Sequence, residues 1–282
     1  MGEPMTEFVV FPELEKCGRL GNTLHQIAST VGLARKHGLR PLFPAEYSYR
    51  PYFSIPDEFF APRNVLVQTS HVHAASLVPH LDPRTAIYLQ DLSLWADVAD
   101  EVRAMFEPSD RAKEELIRGG DVRGSLALHI RRGDNLVQQE FYPVAPLEFW
   151  LAAVDQYPPR QPIRLYSDDM EWCITVLAPA LEAMGRHPVL GAGHLVSKPR
   201  LKEHEQGYWS ETATDWIDLL LLARNEHYVI ANSSFGWWGA WLSRSKDVHY
   251  QWPFYGPRLS VEHGGYADAT LMMPPEWKRL PL

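Results

Sequence analysis

The stretch Leu126-Ala127-Leu128-His129-Ile130-Arg131-Arg132-Gly133-Asp134 decides the fold class, because a short apolar run ends abruptly in two arginines, a glycine and an aspartate. Apolar runs of about four to eight residues bounded by polar residues are typical of strands buried inside a parallel sheet. In open α/β sheets, ligands bind beyond the carboxyl ends of such strands. We therefore predict a buried strand that presents Arg131 and Arg132 to a crevice.

The two arginines allow two interpretations. A guanidinium group suits a phosphate or diphosphate, because its planar fork donates two parallel hydrogen bonds and stays charged. Gly133 would then let the backbone turn close to the ligand. Alternatively, Arg131 and Arg132 pair only with Asp134 and a neighbouring carboxylate. These residues alone leave the choice between a phosphate clamp and an ion-pair cluster open.

Strand and helix signals alternate along both halves of the chain, which favours parallel sheets in an α/β fold. We predict further strands at 8–11, 86–89, 163–166, 189–190, 228–231 and 248–250, and helices at 24–37, 93–106, 147–157, 170–184, 211–226 and 235–242. Pro179 is expected to bend or break its helix. The charged stretch 107–120 is where we place the passage between two Rossmann-like domains.

Four segments, in order along the chain, resemble motifs of one enzyme group. His129 to Asp134 resembles the His-x-Arg-Arg-x-Asp motif of the α-1,2- and α-1,6-fucosyltransferases and the protein O-fucosyltransferases. The segments 166–173 and 231–241 resemble the α-1,2-fucosyltransferases of glycosyltransferase family 11 specifically. Residues 18–26 resemble the N-terminal Gly-x-Leu-Gly-Asn-Gln block of that family.

This resemblance implies a GT-B-like α/β fold, in which two Rossmann-like domains face a cleft. Residues 1–110 would form the acceptor-side domain and 111–282 the GDP-sugar-binding domain. The implied reaction is inverting, metal-independent transfer of L-fucose from GDP-β-L-fucose to a sugar hydroxyl, the 2-OH of galactose in a bacterial surface glycan. No cofactor beyond this donor substrate is implied. Two alternatives stay open, namely an inactive GDP-sugar or glycan-binding module and a transferase that uses another GDP-sugar.

The same resemblance assigns roles to individual residues. Arg131 and Arg132 would stabilise the departing diphosphate, and Asp134 or Glu140 would act as the base, although Asp134 could equally buttress an arginine. Donor contacts are expected from Arg19, Gly21, Asn22, His129, Asp168, Asp169, Asn232, Ser233 and Ser234. For the aspartates we expect the guanosine end of the donor, although paired aspartates after a strand are also typical of Mg²⁺ sites.

Simpler interpretations accompany several of these residues. Ser233 and Ser234 could merely cap a helix, and residues 18–22 could form only a tight turn. Tyr47, Tyr49 and Tyr52 are acceptor candidates because aromatic faces stack on sugars, but a small core under a long loop explains them equally. The chain also departs from the family, with Asn22-Thr23-Leu24-His25 in place of Asn-Gln-x-Phe and Gly236 in place of a common serine.

Composition bounds the partners and the compartment. With 27 Lys and Arg against 35 Asp and Glu, the net charge of −8 argues against nucleic acid as a partner. Two cysteines, Cys17 and Cys173, are too few and too distant for a disulfide framework, which favours a reducing compartment. The longest apolar run, 219–223, is far below the roughly 18 residues of a membrane span. We expect a soluble cytoplasmic protein, with peripheral membrane association and oligomeric state left open.

Three histidines close together, His71, His73 and His80, lack the cysteine or carboxylate partners of a zinc site at suitable spacing. We therefore expect them to be surface or core histidines, and we predict no metal site.

Overall fold

The computed structural model describes residues 8–68, 71–117, 122, 124–191 and 215–282. The described chain falls into two compact units. The first contains the described part of residues 1–113 together with Thr270–Met273, and the second contains the described parts of 114–203 and 212–269 together with Pro274–Leu282. Residues 211–214 of the predicted helix 211–226 lie outside the described residues.

In the first unit, the described strands form one parallel sheet of order β3-β2-β1-β4. The strands are β1 (Phe8–Val10), β2 (Arg40–Pro44), β3 (Phe60–Ala61) and β4 (Val72–His73). Helix α1 (Leu20–Lys36) follows β1 and starts four residues earlier than its apolar spacing predicts. Its buried positions include Leu24, Ile27, Ala28 and Val31, at the three- and four-residue spacing of a helix that packs on a sheet.

The predicted strand 86–89 is wrong. The segment instead ends a short helix, because Asp82 caps that helix by accepting the N–H of Arg84, and Pro83 occupies its first turn. The carbonyl groups of Ile87 and Leu89 then accept hydrogen bonds from side chains of α1 rather than from a neighbouring strand. The remaining helices of this region are α2 (Arg63–Leu66), α3 (Pro83–Ala86), α4 (Ala99–Met105) and α5 (Asp110–Leu116).

The neighbouring helix prediction is correct only in part. The predicted helix 93–106 opens as two 3₁₀ turns, Leu92–Leu94 and Ala96–Val98, and becomes α-helical only at Ala99. Helix α5 lies within the charged stretch 107–120.

In the second unit, the described strands form a parallel sheet of order β10-β9-β8-β5-β6-β7. The strands are β5 (Leu126–Ile130), β6 (Ile163–Ser167), β7 (Pro188–Leu190), β8 (His227–Ile230), β9 (Val248–Trp252) and β10 (Lys278–Pro281). Every residue of β5 is buried, as its uninterrupted apolar run predicts. The α/β class with parallel sheets is thus confirmed. Strand β10 was not predicted, because Lys278 and Arg279 are polar and exposed and the four-residue segment carries no core signal.

Helices cover both faces of this sheet: α6 (Leu147–Asp155), α7 (Met170–Trp172), α8 (Ala178–Ala183), α9 (Asp215–Leu222) and α10 (Ser234–Leu242). A π-helical turn, Cys173–Leu177, joins α7 to α8 just before Pro179. Proline lacks an N–H and its ring crowds the carbonyl four residues earlier, so the wider turn accommodates it without ending the helix.

Register brings three strand ends to one edge of the sheet. His129 of β5 lies level with Ile230 of β8, and Ile230 lies level with Tyr250 of β9. The residues that follow these strands therefore share the carboxyl edge where ligands bind in such sheets. Within the described residues, no helix has both the length and the apolar character that crossing a bilayer requires.

Candidate functional site

Arg131 follows β5 and lies between two carboxylates. Its Nη2 forms an ion pair with Asp134, and its Nη1 forms one with Asp168, while the side chain is only 16% exposed. Both terminal nitrogens are thus engaged by protein. The ion-pair interpretation requires a neighbouring carboxylate, and Asp168, which follows β6, supplies it.

Arg132 is held differently. Its Nε donates to Asp169 Oδ2 at 3.0 Å, and its guanidinium carbon lies 4.1 Å from the ring centroid of Trp172. Its backbone N–H donates to Asp168 Oδ1 at 2.9 Å. No hydrogen bond joins its two Nη atoms to any residue that the structure describes. Arg132 is therefore oriented on one side and retains the terminal donors of its fork.

Asp169 fixes this arrangement through both carboxylate oxygens. Oδ1 caps α7 by accepting the N–H of Trp172 at 3.2 Å, while Oδ2 accepts from Arg132. One carboxylate thus positions the tryptophan ring and the guanidinium that stacks on it. Sequence analysis placed Trp172 within the motif 166–173 but predicted no role for it. The available signal was an aromatic residue three positions after a capping aspartate.

The two aspartates after β6 thus contact the two arginines, although the resemblance implied the guanosine end of the donor for them. Gly133 is part of the same packing. A Cβ at Gly133 would overlap the carboxylate of Asp168, so the glycine is required where Asp168 approaches the backbone. With two arginines and three aspartates, the cluster carries a formal charge of −1.

His129 is buried beneath this cluster at 5% exposure, and its ring stacks on Phe235 with the centroids 5.7 Å apart. Burial, reinforced by the nearby charge of Arg131, lowers the pKa of His129 to about 3, so the ring is neutral at pH 7. A Cβ at Gly236 would come within 2.5 Å of the ring nitrogen Nδ1. The glycine that stands in place of the family's common serine therefore makes room for this histidine.

The segment after β8 forms a helix cap. Ser233 is the N-cap of α10, and its hydroxyl accepts the N–H of Phe235 at 3.3 Å, while Ser234 is the first residue of the helix. Asn232 donates from Nδ2 to the carbonyl of Pro143 at 2.9 Å. The simpler interpretation of Ser233 as a cap thus matches the observed geometry, and Asn232 anchors a loop.

The two candidates for the base have different surroundings. Asp134 forms the ion pair with Arg131. Glu140 lies on an exposed loop and pairs with Arg258, with its Oε2 2.7 Å from the Nε of that arginine. Exposed pairs of this kind contribute only about 0–1 kcal/mol, so Glu140 can leave its partner at little cost.

The remaining donor candidates belong to the first unit. Arg19 is the N-cap of α1 and makes no capping hydrogen bond with its side chain. Gly18 adopts the left-handed conformation with φ +88°, and Gly21 is buried in the first turn. The Oδ1 of Asn22 accepts a hydrogen bond from Gln90 at 3.0 Å. The expected turn before a helix is present. It leads into the N-terminus of a 17-residue helix, which is the positive end of the helix dipole.

Two acceptor candidates belong to the core. Tyr47 and Tyr49 are 3% and 1% exposed, with ring centroids 5.7 Å apart, which confirms the small core as the explanation for both; Tyr52 is partly exposed. Of the three clustered histidines, His73 pairs with Glu13 and His80 pairs with Asp91. The described residues contain no group of three or more His, Cys, Asp or Glu arranged to hold a metal ion.

Comparison with known proteins agrees with the motifs. The model for glycosyl transferase family 11 matches residues 196–253. The O-antigen biosynthesis glycosyltransferase WbnK of Escherichia coli is 27% identical over 57% of this chain and 50% of its own length. An α-1,2-colitosyltransferase of the same organism is 25% identical over 51% of this chain and 45% of its own length.

A third relative matches more of the chain. Galactoside α-(1,2)-fucosyltransferase 1 of Ateles belzebuth is 24% identical over 86% of this chain and 67% of its own length. The chain spans about half the length of the two bacterial relatives and two thirds of the primate enzyme. The resemblance to the α-1,2-fucosyltransferases of family 11, first seen in four short motifs, is thereby confirmed.

Proposed function

We propose that this relative of the family 11 α-1,2-fucosyltransferases is an inverting, metal-independent glycosyltransferase. It moves L-fucose from GDP-β-L-fucose to a sugar hydroxyl, the 2-OH of galactose in a bacterial surface glycan. The observation that carries the proposal is the oriented guanidinium of Arg132 at the carboxyl end of β5, held by Asp169 and Trp172 with its Nη atoms unengaged by the described residues. The GT-B arrangement of the two units is part of the proposal.

Departure of GDP from the anomeric carbon builds negative charge on the diphosphate. A preorganised donor aimed at this charge stabilises the transition state more than the ground state, and removal of one such donor typically costs about 10²–10³ in rate. Arg132 supplies that donor. Arg131, which has a carboxylate on each terminal nitrogen, helps to hold Asp134 and Asp168 in place. Asp168 and Asp169 act as positioning residues for the two arginines.

Inversion requires the acceptor hydroxyl to attack from the face opposite the leaving diphosphate, while a base removes its proton. We assign this role to Glu140 rather than to Asp134. Asp134 is tied to Arg131, whereas Glu140 has only an exposed ion pair with Arg258. A second candidate function keeps the chemistry and changes the donor sugar, and the relative named an α-1,2-colitosyltransferase favours testing it.

A turnover assay tests the proposal. The protein is incubated with GDP-fucose or a colitose donor and a methyl β-galactoside, with and without EDTA, and the linkage of the product is read by NMR. We expect α-1,2-fucoside to form at the same rate with EDTA. Glu140→Gln should retain GDP binding but lose about 10²–10⁴ in kcat, because general-base catalysis contributes that much.

The alternatives give different results in the same assay. Binding of GDP without turnover of any donor would identify an inactive binding module. Activity lost to EDTA and restored by Mg²⁺ would contradict the arginine mechanism. Normal turnover by Glu140→Gln would move the base to Asp134 or to the donor itself.

A further inference from the structure

A recess follows strand β9 in the second unit. It is shallow and partly open to solvent. Six of its lining residues are polar or aromatic: Trp252, Phe254, Tyr255, Ser260, Glu262 and Asp268. Its charged lining is thus acidic, and none of the roles assigned above uses it.

The chemistry of this lining suits an uncharged sugar. A pyranose has C–H faces that pack against aromatic rings and hydroxyl groups that donate to carboxylates. Glu262 is exposed, and its carboxylate has no partner among the described residues. Because both charged groups of the recess are anionic, a phosphate or another anion would be repelled there. A neutral polyol is the ligand class that fits.

Contacts with neighbouring side chains hold the aromatic wall in place. The guanidinium carbon of Arg279 lies 4.0 Å from the ring centroid of Trp252, while its Nε donates to the hydroxyl of Tyr250 at 3.0 Å. Tyr255 makes edge contacts with Phe254 and Tyr142, at centroid distances of 5.2 and 6.4 Å. Rings fixed in this way lose little conformational entropy when a sugar binds.

Strand register places the recess near the arginines. His129, Ile230 and Tyr250 lie level across β5, β8 and β9, so Arg131 and Trp252, each two residues further on, lie at the same sheet edge. Neighbouring strands are about 4.8 Å apart, so two strand spacings separate them by roughly 10 Å.

The loop of the proposed base also contacts the chain segment that forms the recess. Pro143 accepts hydrogen bonds from Asn232 at 2.9 Å and from Gln251 at 2.6 Å, which holds this loop over β8 and β9. The backbone N–H of Arg258 donates to the carbonyl of Glu140 at 3.0 Å. A Cβ at Gly256, next to Tyr255, would overlap the Glu140 carbonyl, so only glycine permits this approach.

We infer that the recess after β9 is the acceptor subsite, which binds a neutral hexopyranoside beside Glu140. This inference rests on the proposed function, because the sugar bound here is the one that receives the transferred group. The acceptor is then recognised by Trp252, Tyr255 and Glu262 of the second unit, and not by Tyr47 and Tyr49 of the first unit, which are buried.

Steady-state kinetics with GDP-fucose and methyl β-galactoside test the inference. Tyr255→Ala should raise the acceptor KM about tenfold, equivalent to ~1.4 kcal/mol, and Glu262→Gln should raise it roughly three- to tenfold. The donor KM and the GDP-induced rise in melting temperature should match those of the parent protein. Glu276→Gln is the matched control, since Glu276 is an equally exposed glutamate of the same unit and does not line the recess.

Saturation-transfer NMR with methyl β-galactoside and methyl β-glucoside, in the presence of GDP, separates this inference from the proposed function. Sugar signals saturated by the parent and lost in Tyr255→Ala support the recess even if no turnover is found. Acceptor KM values within about twofold of the parent in both recess variants would overturn the inference while leaving the transferase intact. Equal saturation by parent and Tyr255→Ala, or saturation of neither sugar by the parent, would also overturn it.

Discussion

The ends of β5 and β8 were both expected to contact the donor, and they differ in structure. After β5, Arg131 and Arg132 are gathered among three aspartates and a tryptophan, and Arg132 keeps its Nη atoms clear of the described residues. After β8, the hydroxyl oxygen of Ser233 accepts the N–H of Phe235 and so caps α10. Our proposal therefore places the phosphate of the donor at the end of β5, through Arg132, and assigns Ser233 to the cap of its own helix.

The largest expected effect separates Arg132 from Arg131. Arg132→Ala should lower kcat by about 10²–10³ and narrow the difference in melting temperature between GDP and GMP, because the donors aimed at the β-phosphate are lost. Arg132→Lys should rescue poorly, since lysine keeps the charge but not the fork. Thermal shift with GDP and GMP, together with turnover, measures both.

Arg131→Ala is the paired comparison. It leaves Asp134 and Asp168 without their shared cation, so its main expected consequence is a lower melting temperature of the unliganded protein. If both arginine variants respond to GDP like the parent, the arginines form a structural ion cluster, and the end of β5 is not a phosphate site.

The second prediction tests the support beneath Arg132. Trp172→Leu removes the ring face under the guanidinium but keeps an apolar side chain, whereas Trp172→Phe retains a ring. We expect Leu to raise the GDP dissociation constant about three- to tenfold, in keeping with the ~0.5–2 kcal/mol of a cation–π contact, and Phe to restore most of the affinity. Isothermal titration with GDP measures this.

A merely structural tryptophan would behave differently. In that case, Trp172→Leu and Trp172→Phe would both change the melting temperature, while the affinity for GDP stayed at the parent value. Trp150→Phe is a suitable control, because Trp150 is a buried tryptophan of the same unit that packs against Phe149 away from the arginines.

The contrast between the two strand ends also shows what the sequence could reveal. The five residues of β5 and the cap at Ser233 depend on neighbours in the chain, so apolar runs and capping residues predicted them. Apart from Asp134, the aspartates that contact the arginines lie 36 or 37 positions away in the chain, and no local pattern encodes that distance. The role of Trp172 and the space that Gly236 leaves for His129 were missed for the same reason.

Contacts with residues distant in the chain also explain why the strand predicted at 86–89 is wrong. Its residues are good strand formers, but Gln26 and Ser29 of α1 take the backbone carbonyls that a neighbouring strand would need. Tertiary partners thus override the local β-propensity. Local signals located most strands of the second unit, and side chains from elsewhere decided what each strand end does.

The smallest expected effect tests the end of β8. Ser233→Ala removes the N-cap of α10, which should cost about 1 kcal/mol of folding free energy and lower the melting temperature of the unliganded protein. Ser233→Asn keeps a capping oxygen and should restore that stability. We assign the hydroxyl to the cap, in which its oxygen accepts the N–H of Phe235, so the additional stabilisation by GDP should be the same in both variants and in the parent. Denaturant unfolding with and without GDP gives the two free energies separately. The reverse result, an unchanged unliganded protein with a much smaller GDP effect in Ser233→Ala, would show that this hydroxyl holds a phosphate, and the end of β8 would then be a second clamp rather than a helix cap.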